Sequence, residues 1–199
     1  MKRIHMALVL TMVLAVAAFV PMASAAPVGL GTLELNAGYA KSSNEAGPGG
    51  DSFGGGMTFG AGYWRSMSPS FSWGGELSFD NMGSVEYDNG NTTDNTISVS
   101  SFRVNPAVRY NFGAGVGPQF YGQGGVGLYN VKVSQEDSDP IVGNNDASES
   151  KMGFNIGAGV SFPVGGKSRM NFTGLYHSVQ TEGSSLDYLQ FRAGIGFGL

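Results

Sequence analysis

The chain has 199 residues, of which 13% are charged, 12% aromatic and 33 are glycine, with a formal charge of −4 and no cysteine. A soluble protein carries about 25% charged residues, so this composition fits a water-bathed surface badly, and its aromatic content excludes disorder. The absence of cysteine removes disulfides, thiol catalysis and cysteine-ligated metal, and the acidic balance without a basic cluster does not favour nucleic acid as a partner.

Residues 1–25 read as a secretory signal. Lys2, Arg3 and His5 form a basic start, Met6 to Val20 an apolar run of about fifteen residues, and Ala23-Ser24-Ala25 a small-residue cleavage site, with the cut before Ala26. Residues 26–199 then form one domain. They contain no apolar run long enough for a spanning helix.

Beyond the signal the chain alternates apolar and polar residues, the mark of two-faced strands. The first predicted strand, 31–40, carries Leu33, Leu35, Ala37 and Tyr39 on its apolar face. The second, 53–65, carries Phe53, Met57, Phe59, Ala61 and Tyr63, and the third, 71–80, carries Phe71, Trp73, Leu77 and Phe79. The fourth, 96–112, carries Phe102, Val104, Val108, Tyr110 and Phe112; Ile97 and Val99 are out of phase with these, which a bulge near Ser100-Ser101 would repair. The fifth, 119–133, is the least regular, and Gly124-Gly125 marks a bulge or a close backbone approach. The sixth, 152–162, alternates without a fault from Met152 to Phe162, and the seventh, 169–179, shows Met170, Phe172 and Tyr176. The eighth sets Leu189, Phe191, Ala193, Ile195, Phe197 and Leu199 against Tyr188, Gln190, Arg192 and three glycines.

The connections alternate in length. Those near 67–69, 113–118 and 164–168 are short, and those at 41–52, 81–95, 134–150 and 181–187 are longer. Of the acidic residues only Glu34 and Glu76 fall inside predicted strands, so the longer connections, with Asp80, Glu86, Asp88, Asp94, Glu136, Asp137, Asp139, Asp146 and Glu149 in or beside them, read as water-exposed. The pattern predicts an all-β fold: an eight-stranded antiparallel up-and-down transmembrane β-barrel with both termini on the short-turn, periplasmic rim.

The apolar face is assigned to lipid for two reasons. An eight-stranded barrel is just wide enough inside for side chains to fill, and the large apolar residues would overfill it. Aromatic residues also gather near both rims, Phe71, Phe112, Phe162 and Phe197 at one and Tyr39, Phe53, Phe79 and Tyr176 at the other. The lumen then holds Glu34, Glu76, Arg103, Arg109 and Arg192, with His177 near the loop end. Ions in so narrow an interior need partners. Arg103 or Arg109 is expected to meet Glu76, and Arg192 to meet Glu34 where the last strand closes on the first; solvation by lumen water is the alternative.

The chain resembles the small OmpA/OmpX-type outer-membrane β-barrels and the broader outer-membrane β-barrel domain family, in architecture over residues 26–199 and most specifically at its end. Barrels of this kind close on a polar residue, a glycine two later and two hydrophobic residues spaced by one. Here these are Arg192, Gly194, Phe197 and Leu199, with Leu199 in place of the usual aromatic residue. The resemblance implies a bacterial outer-membrane location and a C-terminal assembly signal read by the barrel-assembly machinery. It also implies periplasmic chaperones during biogenesis, outer-membrane lipid and lipopolysaccharide around the wall, and a monomer without cofactor.

Other motifs carry less. Gly122-Gln123-Gly124-Gly125-Val126-Gly127 matches G-x-G-x-x-G but lies within a strand, and Gly165-Gly166-Lys167-Ser168 reads as a turn. Some eight-stranded barrels are lipid A deacylases with a His, a Ser two residues from it and a Glu on the outer wall near the loop rim, and Glu182 is close enough to join such a set only if the strand has already ended. Here His177 and Ser178 are adjacent and so face opposite ways on a regular strand. The acidic run Glu136-Asp137-Ser138-Asp139 lacks calcium-loop spacing and reads as a solvated loop. Three functions remain: a non-enzymatic barrel serving envelope integrity or surface interaction through its extracellular loops, a narrow porin-like channel, and a lipid A-modifying enzyme.

Overall fold

A computed structural model describes residues 31–43, 45–46, 51–88, 94–112, 117–136, 145–181 and 184–199. The signal segment 1–25, Glu182 and the acidic residues Asp137 and Asp139 lie outside them.

The strands are β1 (Gly31–Ser42), β2 (Glu45–Ala46), β3 (Asp51–Ser52), β4 (Gly56–Ser66), β5 (Phe71–Asp88), β6 (Asp94–Phe112), β7 (Gln119–Glu136), β8 (Asn145–Gly165), β9 (Ser168–Thr181) and β10 (Ser184–Gly198). Eight of them close a barrel in the order β1-β10-β9-β8-β7-β6-β5-β4, β1 pairing with both β10 and β4. Every pairing is antiparallel, and β2 and β3 form a separate two-stranded ribbon. Closure leaves no unpaired edge within the wall, as a strand structure in hydrocarbon requires. The termini of the barrel meet on the short-turn rim, where the Leu199 amide donates to the Gly31 carbonyl at 2.9 Å.

The two faces divide as the alternation predicts. Leu35, Phe59, Leu77, Phe102, Val108, Leu128, Ile156, Phe172 and Phe191 are exposed on the outer wall, while Glu34, Glu76, Arg103, Arg109 and Arg192 are buried inside. A surface this apolar is stable only against lipid.

Five local expectations are settled, four of them as corrections. First, β4 begins at Gly56, and Phe53 is buried at 6% exposure instead of joining the outer aromatic belt. Gly55, at φ 83°, breaks the strand phase before it. Second, β6 has no bulge at Ser100-Ser101. Its register with β7 runs unbroken from Thr96↔Glu136 to Val104↔Leu128, so Ile97 and Val99 share the inner face with Arg103. The irregularity lies on β5, between Asn81 and Ser84.

Third, of the two readings of Gly124-Gly125 the bulge is absent, since β7 is regular there and pairs with Ile156 and Asn155, and the close approach is the one observed. Gly125 serves close approach: a Cβ would fall 2.6 Å from the Pro106 carbonyl oxygen. Fourth, much of the predicted loop sequence is strand. β5 and β6 pair as far as Asp88↔Asp94, β7 and β8 as far as Gln135↔Asn145, and β9 and β10 as far as Thr181↔Ser184. Fifth, Asp80 belongs to the inner face of β5 and is fully buried.

Candidate functional site

Inner-face residues converge because alternate residues of a strand share one side and the barrel wraps those sides around one axis. On β5, Ser72, Glu76, Ser78 and Asp80 are buried on that side; on β6, Ser101, Arg103, Asn105, Ala107 and Arg109 are. Phase alone thus places Asp80 in the lumen, although its position at the end of the apolar pattern suggests a loop.

The periplasmic part of the network centres on Arg109. Its Nη1 donates to Glu34 at 3.1 Å, and its Nε and Nη2 donate to the Gln123 side-chain oxygen at 3.3 and 2.9 Å. The guanidinium lies between the rings of Trp64 and Tyr121, 4.0 and 4.2 Å from their centroids. Flat cation and flat rings suit each other, and the desolvated setting strengthens the attraction. Gln123 passes the network on, its Nε2 donating to Glu76 at 3.1 Å.

Glu76 is the hub. Arg192 donates a hydrogen bond to its Oε1, and Arg103 stands 3.8 Å from its Oε2. The Arg103–Glu76 contact is thus present as an ion pair, whereas Arg192 reaches Glu76 on β5 and not Glu34 on the neighbouring β1. Glu34 is taken by Arg109. Register explains the difference. Arg192 stands opposite Gly38 and Glu34 opposite Gly196, four positions apart along the β1–β10 seam.

Toward the extracellular end the hub is Asp80. Its Oδ1 accepts from Thr58, Ser78 and Gln190, and its Oδ2 accepts from Tyr188 at 2.8 Å with Arg103 Nε at 3.6 Å. Gln190 Nε2 also donates to Thr58 Oγ1 at 2.7 Å. That orientation leaves the Gln190 oxygen facing His177 Nε2 at 3.2 Å, so the imidazole carries its proton on Nε2. His177 Nδ1 then accepts from Tyr129 OH at 3.2 Å, and the ring stacks on Tyr188 at 4.3 Å between centroids. The imidazole is fully buried and committed on both nitrogens. Ser178, on the next position of β9, pairs across to Phe154 and faces the other way.

The six ionic groups balance, three guanidinium groups against Glu34, Glu76 and Asp80, and all are buried. Arg103 meets Glu76 and Asp80 only as ion pairs, at 3.8 and 3.6 Å, while the other five groups are hydrogen-bonded as well, and it is pairing that makes buried charge tolerable. Among the described residues the Arg192 Nε and Nη1 atoms, the three Arg103 guanidinium nitrogens and the side-chain amides of Asn36 and Asn105 have no hydrogen-bond partner, and such groups are where internal water resides in protein interiors. Among the described residues no cluster of three metal-ligating side chains occurs. The aromatic and amide members of the network (Trp64, Tyr121, Gln123, Tyr129, Gln190) carry no charge, so charge patterning does not single them out. Their inward phase on regular strands is the available signal.

The remaining predicted residues sit on β10 or, for Leu199, directly after it. Gly194 lies against β1, where a Cβ would be 2.8 Å from the Leu35 carbonyl oxygen, and Phe197 and Leu199 are exposed on the outer wall near the periplasmic rim.

The architecture recurs in solved outer-membrane proteins. Neisserial surface protein A is similar at a TM-score of 0.60 and 14% identity, over 84% of this chain and 96% of that one. The attachment invasion locus protein of Yersinia pestis, solved in complex with the heparin analogue sucrose octasulfate, matches at a TM-score of 0.57 and 13% identity, over 87% and 100%. A major outer membrane protein of Thermus thermophilus matches at 0.57 and 10%, over 85% and 99%. No curated protein matches the sequence. The family model described as outer membrane protein beta-barrel domain matches residues 6–198. The chain therefore belongs to the outer membrane protein beta-barrel domain family, and its place is the bacterial outer membrane.

Proposed function

We propose that the protein is a non-catalytic barrel that supports the cell envelope and presents its extracellular hairpins for surface interaction. The observation that carries this reading is the height of β5–β8. The uppermost outward apolar residues on these strands are Phe79, Phe102, Leu128 and Met152, yet the pairing continues beyond them to Asp88↔Asp94 and Gln135↔Asn145. Above the belt the outward positions turn polar, with Ser84, Glu86, Ser98, Asn130, Lys132, Ser148 and Ser150. A rigid, paired platform standing clear of the membrane serves presentation better than it serves solute passage, and the lumen beneath it is crossed by the Arg–Glu–Asp network.

The platform is acidic, with Glu86, Asp146 and Glu149 against Lys132 and Lys151. A sulfated polyanion such as the one bound by the Yersinia pestis protein is a poor match here; cationic partners, and phosphorylated outer-leaflet lipid held through shared divalent cations, suit this charge. In the same reading lipopolysaccharide and outer-membrane lipid surround the wall of a monomer. The barrel-assembly machinery recognises Arg192, Gly194, Phe197 and Leu199 after delivery by periplasmic chaperones.

The test removes the platform and keeps the barrel. Val131 pairs with Glu149, so replacing residues 132–148 by Asn-Gly shortens the hairpin without changing register. Host-surface and serum-component binding by cells carrying this variant is expected to fall to the level of cells lacking the protein. Undiminished binding, with the variant folded in the membrane, would remove the surface-interaction reading.

A further inference from the structure

The lumen changes character at its extracellular end. Above Tyr129 and Tyr188 the inner face becomes largely apolar: Met82, Val85, Val99, Val131 and Val179 form a buried collar, bordered by Ser42 on β1 and by the Lys151–Glu149 ion pair at the positions opposite Tyr129 and Val131. Val99, Val131 and Val179 come from regular strand positions that face inward, Met82 lies within the bulge between Asn81 and Ser84, and that bulge brings Val85 to the same side. In a membrane barrel these side chains gain nothing from lipid, so their burial needs an apolar partner on the axis.

That partner is Phe53. It is not part of a strand; it lies between β3 and β4, and it joins the collar cluster at 6% exposure. The backbone after it is three consecutive glycines, Gly54, Gly55 and Gly56. Gly55 sits at φ 83° and faces Gly83 at φ 89° so closely that a Cβ on Gly83 would fall 2.3 Å from the Gly55 nitrogen. Among the described residues two contacts hold Gly54, its amide donating to the Ser84 carbonyl at 3.3 Å and Tyr39 OH donating to its carbonyl, while Gly56 is already paired with Ala40 in the wall. One ring in an aliphatic collar, on a glycine arm with a two-point latch, is built as a removable part.

We propose that Phe53 is a hinged stopper which seals the extracellular mouth of the lumen, and that its withdrawal on the Gly54–Gly56 arm exposes the collar to the outside. In place, Phe53 and the collar separate the lumen and its ionic network from the outside, the way apolar constrictions close pores. Withdrawn, it leaves the collar above His177 and Tyr188 without its central ring. The seal is separate from the projecting hairpins, so it stands or falls independently of what they bind.

The chain has no cysteine, so a single introduced thiol reports access. Val99→Cys places it in the collar and Ser98→Cys on the outer face of the same strand, and each is labelled with a membrane-impermeant maleimide in protein refolded into phospholipid vesicles. Labelling of Val99→Cys is expected to be slow in the parent and to quicken roughly tenfold or more when Phe53→Ala is added, the size of change expected from losing one buried aromatic side chain. Tyr39→Phe, which removes the latch donor and leaves Phe53 intact, is expected to quicken it in the same direction by a smaller factor. Ser98→Cys is expected to react at one rate in all backgrounds. If Val99→Cys reacts as fast as Ser98→Cys in the parent, or if neither Phe53→Ala nor Tyr39→Phe changes its rate in a folded, heat-modifiable barrel, the stopper does not exist.

Discussion

Arg192 on β10 and Glu76 on β5 lie 116 positions apart in the chain and meet as a hydrogen-bonded ion pair inside the barrel. The contact spans the lumen instead of joining neighbouring strands, so it ties the closing strand to the far wall. It also fixes which strand faces carry charge, since a one-residue slip of β10 would carry Arg192 out to lipid.

This pairing is measurable by a double-mutant cycle in urea unfolding from lipid vesicles. Arg192→Met leaves Glu76 with Arg103 and Gln123 only, and is expected to cost about 3–5 kcal/mol, the usual penalty for stranding a buried charge. Arg192→Met with Glu76→Gln should recover part of that loss, with a coupling of about 1–3 kcal/mol. The cycle of Arg192 with Glu34 should show coupling below about 0.5 kcal/mol, because Glu34 is held by Arg109. Equal coupling in both cycles would contradict the geometry.

Asp80 carries a sharper test, because it accepts from Thr58, Ser78, Gln190 and Tyr188 together. Asp80→Asn puts an amide donor among groups that all donate and leaves Arg103 without its nearer carboxylate. A loss of about 3–5 kcal/mol is expected, against about 1–2 kcal/mol for Tyr188→Phe, which removes one donor of the four. A harmless Asp80→Asn would mean that the carboxylate is not the hub of the upper network.

The fold was legible in the sequence because lipid on one side and a narrow lumen on the other impose strict alternation, as in Met152 to Phe162 on β8. The pairs within the lumen were not, because register and closure are set by contacts between strands. Nothing local in the sequence states that Glu34 stands opposite Gly196 and Gly62. The departures at Ile97, Val99 and Phe53 have one cause. All three are apolar, and apolar was equated with outward; the extracellular end of the lumen is itself apolar, so regular phase, and not residue type, gives the direction of Ile97 and Val99. His177 and the inward position of Asp80 were readable by phase. Gln190, Tyr188 and Tyr129 became functional members only through the hydrogen bonds that the folded wall allows.

Glycine substitutions separate wall packing from lipid contact. A Cβ on Gly157 would lie 1.9 Å from the Gly174 carbonyl oxygen, whereas one on Gly75 would meet nothing nearer than the Asn105 carbonyl oxygen at 3.9 Å. Gly157→Ala must push β8 from β9 and is expected to cost about 2 kcal/mol or more. Gly75→Ala is expected to be neutral or to stabilise by up to about 1 kcal/mol, since alanine suits a strand interior better. The refolding yield and urea midpoint of the two variants check this, and similar values for both would contradict the close packing of β8 on β9.

The lipid assignment of the outer wall predicts a depth profile. Ile156 lies midway along the outward apolar run of β8 and Ser148 lies above it, both exposed. Ile156→Arg is expected to cost about 2–4 kcal/mol in vesicle-embedded protein, and Ser148→Arg less than about 0.5 kcal/mol. Equal small effects would mean that the apolar band does not face hydrocarbon.

The projecting hairpin of β7 and β8 is expected to loosen in acid. Lys132 Nζ stands 2.8 Å from Asp146 Oδ2, and the hydrogen bond from Lys132, with another from Ser134, lowers the Asp146 pKa below its ordinary value. A carboxyl whose folded pKa is depressed contributes stability above its unfolded pKa of about 3.9 and loses it as the pH falls through the lower folded value. Amide protection at residues 131–134 and 146–148, corrected for intrinsic exchange, should therefore be level from pH 7 to about pH 5 and decline below about pH 4. Both side chains are about half exposed or more, so the decline is modest and shrinks at high salt. In Lys132→Met the same amides should start less protected and respond less to acid. An undiminished acid response in that variant would assign the loosening to another carboxylate.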